Sequence, residues 1–206
     1  MPRRSVILFA CFCAAIALAV VVTTLMVVSA RDQQVSLAEA GTGTPAIGGD
    51  FQLVSQDGQA VDESILTGKW SLVFFGFTYC PDFCPTTLAV LDATQAQLGD
   101  KADSLQILFV TVDPERDTPQ VLKDYLSSDG FPENTIGLTG SPEQIANAAR
   151  VYRAAYEKVG QGETYTMNHS LTVYLMGPDG QFRAALAQDM GPERSAQLIA
   201  RVMQRG

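Results

Sequence analysis

The sequence predicts an α/β domain, in which a mixed β-sheet is flanked by helices, preceded by an N-terminal transmembrane helix. Two apolar runs of strand length, residues 71–77 and 105–112, are too continuous for half-exposed strands and therefore predict the centre of the sheet. A Gly-Pro-Asp-Gly turn separates residues 170–176 from 181–186 and indicates a late antiparallel hairpin. Strands that alternate with helices and end in an antiparallel pair are typical of a mixed sheet.

An uncharged, apolar stretch covers residues 5–30 and follows Arg3 and Arg4. At about 1.5 Å rise per residue, a helix of this length exceeds a hydrocarbon core of roughly 30 Å. Because both arginines precede the stretch, the positive-inside rule predicts that residues 1–4 are cytoplasmic and that the rest of the chain is exported. We therefore expect a single-pass protein of the bacterial inner membrane, with its C-terminal domain in the periplasm.

A cleaved signal peptide is the alternative to this anchor, because Val28-Ser29-Ala30 resembles a small-residue cleavage site. The apolar core of such a signal is only about 7 to 15 residues long, however, and the longer stretch favours a retained anchor. No Arg-rich amphipathic leader typical of mitochondrial import precedes it. Cys11 and Cys13 lie inside the stretch, where we expect them to act as small apolar residues without chemistry.

The exported part divides into a tether and one domain. Residues 31–49 are small and polar, contain several glycines and show no hydrophobic period, which predicts a flexible linker. Residues 50–206 are about 157 residues, the size of one ordinary domain. Residues 31–206 carry 12 basic and 22 acidic side chains, a net charge of −10, because Arg3 and Arg4 are the only charged residues before them. This balance disfavours nucleic acid as a partner.

Turn and capping signals place the remaining elements. Residues 51–54 and 59–61 flank an Asp-Gly turn and predict a first hairpin. Leucines at helical spacing predict a helix from about Pro81 to Leu98 that ends before Gly99. Three more helices are predicted where a proline occupies the first turn: at Thr118-Pro119, Ser141-Pro142 and Gly191-Pro192. The second of these three is expected to bury five residues: Ile145, Ala148, Ala149, Tyr152 and Tyr156.

Three side chains are candidates for chemistry. The exported part holds only two cysteines, Cys80 and Cys84, and the chain holds one histidine, His169. Disulfides persist outside the cytoplasm, so a structural staple is one interpretation of the cysteine pair. A bridge that closes so short a loop restrains the unfolded chain little, which favours a redox or metal role instead. Four-residue spacing places both sulfurs on one face if the segment is the first turn of a helix.

The donor types favour copper. A cysteine at a helix N-terminus lies near unpaired N–H groups and the positive end of the dipole, which stabilise the thiolate. Two soft sulfurs and one imidazole suit copper(I), and with a weak further ligand they also suit copper(II). Zinc is the alternative, with water or Asp82 as the fourth ligand. Met167 is a further thioether near His169, although methionine usually fills gaps in packing.

Three features stand out together: residues 75–85 (Phe-Gly-Phe-Thr-Tyr-Cys-Pro-Asp-Phe-Cys-Pro), residues 112–119 (Val-Asp-Pro-Glu-Arg-Asp-Thr-Pro) and His169 before a strand. In these features the chain closely resembles the Sco/SenC proteins, and the resemblance covers residues 46–206. It implies a thioredoxin-like fold that carries a copper site and helps to assemble the binuclear copper centre of cytochrome c oxidase. The implied partners are the copper-centre subunit of the oxidase and, in addition, other periplasmic copper chaperones or thiol reductases.

The resemblance also implies the ligands of one copper ion per chain: Cys80, Cys84 and His169. In a thioredoxin-like chain, the loop before the late strand faces the cysteine helix, and here that loop supplies the histidine. One residue departs from the family pattern, because Asn168 stands where the family usually has Asp. Asp113 and Arg116 are expected near the cysteines as supporting residues that tune the thiolates or meet a partner. Asp82 and Asn168 are expected to be supporting residues as well.

Other functions use the same thiols. A thiol-disulfide oxidoreductase that reduces the oxidase subunit would form a Cys80–Cys84 disulfide, although three intervening residues depart from the thioredoxin spacing. Ordinary thioredoxin-like oxidoreductases also resemble one another in a proline before the late strand, and residues 168–170 contain none. A peroxidase would need a cation beside a reactive cysteine. A redox or copper sensor is the remaining alternative, so enzymatic activity stays open.

Overall fold

The structure, a computed structural model, describes residues 46–205. The strands are β1 (Gln52–Ser55), β2 (Ala60–Asp62), β3 (Trp70–Gly76), β4 (Leu105–Thr111), β5 (Thr135–Thr139), β6 (Tyr156–Val159), β7 (Thr166–His169), β8 (Val173–Met176) and β9 (Phe182–Leu186). The α-helices are α1 (Phe83–Leu98), α2 (Pro119–Leu126), α3 (Pro142–Tyr152) and α4 (Gly191–Met203). Seven strands form the main sheet in the order β2-β1-β5-β4-β3-β8-β9, whereas β6 and β7 form a separate pair.

The two apolar runs are the centre of the sheet, as predicted. Every residue of β3 and β4 is buried, and the two strands pair in parallel. β3 also pairs antiparallel with β8, and β1 pairs antiparallel with β5 at the other side, so the sheet is mixed. Because β3 and β4 run parallel, their carboxyl ends meet at one edge, where Gly76 lies beside Thr111. The segments that follow both strands therefore begin next to each other.

Both predicted hairpins are present at the edges of the main sheet. β1 pairs with β2 around the Asp57-Gly58 turn, where Gly58 adopts the left-handed backbone conformation with φ of 75°. β8 pairs with β9 across residues 177–180, and the Gly180 N–H donates to the Gly177 carbonyl at 2.9 Å. The apolar alternation and the turn residues were sufficient to place these strands.

The four predicted helices are confirmed, with one boundary moved. α1 begins at Phe83 rather than at Pro81 and ends, as predicted, at Leu98. The hydroxyl of Thr118 accepts a hydrogen bond from the Val121 N–H at the start of α2, and Ser141 caps α3 in a reciprocal capping box. α1 packs against α4, whereas α2 packs on β5 and α3 on β1.

Three strands were missed by the sequence interpretation. β5 is short and contains Gly137, which weakens a strand pattern. That glycine is needed because a Cβ there would lie 2.7 Å from the Leu126 side chain of α2. β6 and β7 were taken for the end of a helix and a loop. α3 instead ends at Tyr152, and Arg153 follows in the left-handed conformation with φ of 55°.

The helix end at Arg153 corrects the predicted burial on α3. Ile145, Ala148, Ala149 and Tyr152 are buried, as expected. Tyr156 was wrongly placed on the same helix face, because the chain has already left the helix and Tyr156 opens β6, where it is half-buried.

The predicted anchor lies outside the described residues, as do the cytoplasmic segment 1–4, Cys11, Cys13 and most of the linker. Within residues 46–205, no helix combines the length and the apolar character needed to cross a membrane.

Candidate metal centre

Cys84 occupies the first turn of α1, directly above the end of β3. Its side chain is fully buried. A Cβ at Gly76 would lie 2.9 Å from the Cys84 sulfur and 2.8 Å from the Phe109 ring, so only glycine leaves room for the sulfur at this point of β3. The glycine of the sequence motif therefore has a steric role, which is to let the helix set a thiol against the central sheet.

Cys80 lies before the helix rather than in it, in a turn where its N–H donates to the Phe77 carbonyl at 3.3 Å. The Cys84 N–H donates to the Cys80 sulfur at 3.4 Å, so this sulfur receives one of the N–H groups that the first helical turn leaves unpaired. The prediction that both cysteines share the first turn holds for Cys84 alone. The two free thiols still converge, because the chain folds back at the helix start.

His169 ends β7 and faces the cysteines. Its ring packs edge-on against Phe74 and Phe77, with centroid distances of 6.1 Å and 5.7 Å. The Nδ1 atom lies 2.9 Å from the Ser170 carbonyl oxygen, which can only accept, so we assign the ring proton to Nδ1. Nε2 then presents its lone pair to the Cys84 sulfur at 3.5 Å. Such a backbone partner orients a metal-binding imidazole.

The predicted trio is brought together by the fold. One donor atom each from Cys80, Cys84 and His169 lies within 4.8 Å of the others. With bonds of about 2.3 Å to sulfur and 2.0 Å to nitrogen, an ion in trigonal or tetrahedral coordination holds such donors about 3.5–4.0 Å apart. A shift of about 1 Å or less would therefore allow all three atoms to share one ion.

Burial sets the protonation of the site. It raises the pKa of the Cys84 thiol well above its ordinary value, and a hydrogen bond with the Phe77 backbone only partly opposes this. The lowering of the thiol pKa that a helix N-terminus was expected to cause is therefore outweighed at Cys84, because desolvation penalises the thiolate more strongly. Burial also lowers the pKa of His169, which keeps the imidazole neutral and able to bind metal. A metal must displace the Cys84 proton when it binds.

Asp113 and Arg116, the predicted supporting residues, connect the cysteine segment to the β6–β7 hairpin. The Arg116 guanidinium is 2.5 Å from the Asp113 carboxylate and donates to the Tyr165 carbonyl at 3.0 Å. It also stacks on two rings, 4.6 Å from the centroid of Tyr79 and 3.7 Å from that of Tyr165. The Tyr165 hydroxyl donates to Asp113 at 2.6 Å. No signal in the sequence pointed to Tyr165.

Asp117 was missed as a site residue, because within residues 112–119 only Asp113 and Arg116 were expected near the cysteines. Its carboxylate is fully buried and accepts three hydrogen bonds: from the Thr78 N–H at 3.0 Å, the Thr78 hydroxyl at 2.6 Å and the Thr111 hydroxyl at 2.6 Å. Burial raises the pKa of Asp117 despite these bonds. Through Thr78, these bonds fix the segment that leads from β3 to Cys80, and we call them the Asp117 clamp. An acidic residue in the short segment between a buried strand and the cap of the next helix was the available signal.

Asp82 and Asn168 lie outside the donor cluster. Asp82 is exposed, and its carboxylate oxygen is 3.5 Å from the Thr86 hydroxyl. Asn168 is exposed on β7 and pairs across the hairpin with Glu157. Because side chains alternate along a strand, Asn168 and His169 point to opposite faces. An acidic residue at position 168 would face the Glu157 carboxylate, a like-charge pair that destabilises a sheet.

The chain is similar to a characterised family over most of its length. A family model described as SCO1/SenC matches residues 39–204. Yeast (Saccharomyces cerevisiae) mitochondrial protein SCO1 is 41% identical over 161 residues, which cover 76% of this chain and 54% of the yeast protein. The chain spans about half the length of the curated relatives it matches first.

Two solved structures are similar in fold as well as in sequence. Bradyrhizobium japonicum ScoI with copper bound is 42% identical, with a TM-score of 0.69 over 76% of this chain and 99% of ScoI. BsSco, which has a disulfide switch and is a member of the Sco family of cytochrome c oxidase assembly proteins, is 27% identical, with a TM-score of 0.60 over 78% of this chain and 94% of BsSco. The mixed sheet with flanking helices is therefore the thioredoxin-like Sco fold.

Proposed function

This chain belongs to the SCO1/SenC family, and we propose that it binds one copper ion through Cys80, Cys84 and His169 and delivers it during assembly of the binuclear copper centre of cytochrome c oxidase. The observation that carries the proposal is the convergence of two sulfurs and an imidazole nitrogen within 4.8 Å. Soft sulfur donors with imidazole are the ligands that copper(I) prefers. The copper-bound ScoI structure and the assembly role of BsSco support the same reading.

The donor set tolerates both copper valences. Two thiolates and a neutral imidazole give a total charge of −1 with copper(I) and zero with copper(II). Cys80 and Cys84 are buried, yet the site borders a cavity that reaches exposed residues, so neither charge is sealed in the core. On binding, each thiol releases its proton to solvent, while the Ser170 carbonyl keeps Nε2 of His169 directed at the metal.

The cellular setting is part of the proposal. Residues 5–30 would anchor the chain in the bacterial inner membrane, and the linker 31–49 would hold the copper domain in the periplasm. The copper-centre subunit of the oxidase is the proposed recipient.

The test is copper loading of the full chain, reduced and purified in detergent. The wild type should bind one copper per chain and show a copper(II) spectrum in the oxidised metal state. His169→Ala should lose that spectrum, because the only imidazole of the chain is removed. Glu157→Ala is the matched control, since it alters an exposed residue of the same hairpin that does not line the cavity beside the cysteines. Unchanged copper spectra in His169→Ala would sink the proposal, provided that circular dichroism shows a folded protein.

A second candidate function is reduction of a partner disulfide. The cysteines are free and close together, with the Cys84 N–H 3.4 Å from the Cys80 sulfur, and BsSco has a disulfide switch. In that reaction the two thiols lose two protons and two electrons, a Cys80–Cys84 bond forms and the partner's disulfide becomes two thiols. Reduced, copper-free chain mixed with a disulfide-bonded peptide would test this. Peptide thiols should appear as chain thiols disappear, and their absence would leave copper delivery alone.

A further inference from the structure

Met167 shares a strand face with His169. The two residues are two positions apart on β7, and side chains at this spacing point to the same side of a strand. The burial pattern agrees, because Thr166 and Asn168 are exposed while Met167 is only 8% exposed. The thioether and the imidazole therefore face the same direction.

A cavity of about 410 Å³ borders β7, and every residue of that strand, from Thr166 to His169, is among those that line it. Met167, His169 and Cys80 all line it. Asp82 and Phe83 form part of its wall as well, and both are exposed, so the cavity opens to solvent at the helix start. A metal ion that enters from solvent through this cavity meets the Met167 side chain and two of the proposed ligands together.

Met167 is buried, yet its surroundings differ from those of a methionine that only fills the core. Methionine commonly fills gaps in a core, and Met176 of β8 does so, since it is fully buried in the main sheet. Met167 instead borders open volume beside Cys80 and His169. Its unbranched side chain with three rotatable bonds can adjust to an ion that arrives there.

We propose that the Met167 thioether is the fourth ligand of copper(I), beside Cys80, Cys84 and His169. The inference rests on the proposed copper function and deepens it. Thioether sulfur is soft and selects copper(I) over copper(II). In the binding step, copper(I) leaves its donor and gains bonds to three sulfurs and one nitrogen. Each thiol gives one proton to solvent, the thioether gives none, and no electron is transferred.

The experiment compares Met167→Leu with Met176→Leu in the full chain, kept reduced in detergent. Leucine preserves apolar volume at both positions, so packing is little changed. X-ray absorption of the copper(I) form should show three sulfur neighbours in the wild type and in Met176→Leu, but two in Met167→Leu. Competition with a copper(I) chelator should show about tenfold weaker binding for Met167→Leu only. Copper(II) affinity should stay within about twofold in both variants.

A measurement on the wild type does not depend on any variant folding. With methionine methyl groups labelled with ¹³C, one equivalent of copper(I) should shift the Met167 signal and leave that of Met176 in place. Two sulfur neighbours in the wild type with an unshifted Met167 methyl would overturn the inference while leaving the Cys-Cys-His site standing. Failure of the wild type to bind copper at all would instead overturn the proposed function.

Discussion

The two halves of the candidate metal centre are built in different ways. Cys84 is fully buried against the central strand β3, every residue of which is buried as well. His169 belongs to β7, which pairs only with β6 in a separate two-stranded sheet, and the last three residues of β6 are exposed. The Cys84 sulfur thus lies against a fully buried part of the main sheet, the cysteine wall. The His169 imidazole lies on the separate β6–β7 hairpin, the histidine arm.

The difference shows that the two halves of the site are held in place by different kinds of contact. A two-stranded hairpin is marginally stable by itself, so the histidine arm depends on its contacts with the rest of the domain. The polar contacts are the Arg116 and Tyr165 bonds described above and Lys158 with Glu115 at 2.6 Å. The His169 ring adds its edge-on packing against Phe74 and Phe77. The cysteine wall depends on apolar burial and on the Asp117 clamp. We expect substitutions in the two halves to act on different properties.

The largest effect is expected from Asp117→Ala on the cysteine side. The change leaves the Thr78 N–H and the hydroxyls of Thr78 and Thr111 without their buried acceptor. Each unpaired buried group costs about 1–3 kcal/mol, so the free energy of unfolding should fall by about 3 kcal/mol or more. Urea unfolding of the copper-free chain measures it.

Asp124→Ala is the control for this substitution, because Asp124 is an exposed carboxylate that accepts from Gln120 at 2.7 Å. Its unfolding free energy should change by no more than about 0.5 kcal/mol. Equal losses of unfolding free energy in Asp117→Ala and Asp124→Ala would mean that the buried bonds of Asp117 do not specifically stabilise the cysteine wall.

A smaller and more local effect is expected from Arg116→Ala. It removes the partner of Asp113, whose side chain is only 2% exposed, together with the bond to the Tyr165 carbonyl. We expect a loss of about 2–3 kcal/mol, concentrated in the hairpin. Hydrogen exchange should therefore accelerate in residues 156–169 much more than in β3 and β4.

Arg183→Ala removes a more exposed ion pair with Asp179 and is the matched control. It should leave exchange in residues 156–169 unchanged. Uniform acceleration across the whole sheet in Arg116→Ala would show that the hairpin is not a separately stabilised arm.

The smallest effect is expected from Lys158→Ala. Both members of the Lys158–Glu115 pair are exposed, and such pairs contribute little and are screened by salt. Exchange in residues 156–169 should accelerate by less than about fivefold at low salt, and this change should vanish at high salt. An effect as large as that of Arg116→Ala would place the main hairpin contact at Lys158 instead.

The sequence predicted most of the regular fold and the members of the candidate site. β3, β4 and the capped helices follow from runs, periods and caps that a few neighbouring residues define. β5 was missed because Gly137 interrupts its pattern, although the glycine is there to admit Leu126. The β6–β7 hairpin was missed because its exposed strands carry no apolar alternation. Tyr165 bonds to Asp113, 52 residues away along the chain, and Asp117 bonds to Thr78, 39 residues away.

The sequence by itself determined which donors the chain can offer: two thiols after a glycine-ended strand, one histidine before a late strand, and a membrane-length apolar stretch ahead of them. These are matters of residue type and local order. The tertiary structure alone decided that Cys84 is buried enough to hold its proton, that Cys84 and His169 meet across 85 residues, and that Met167 borders the same cavity. Burial and convergence depend on packing between distant segments, which no local pattern encodes.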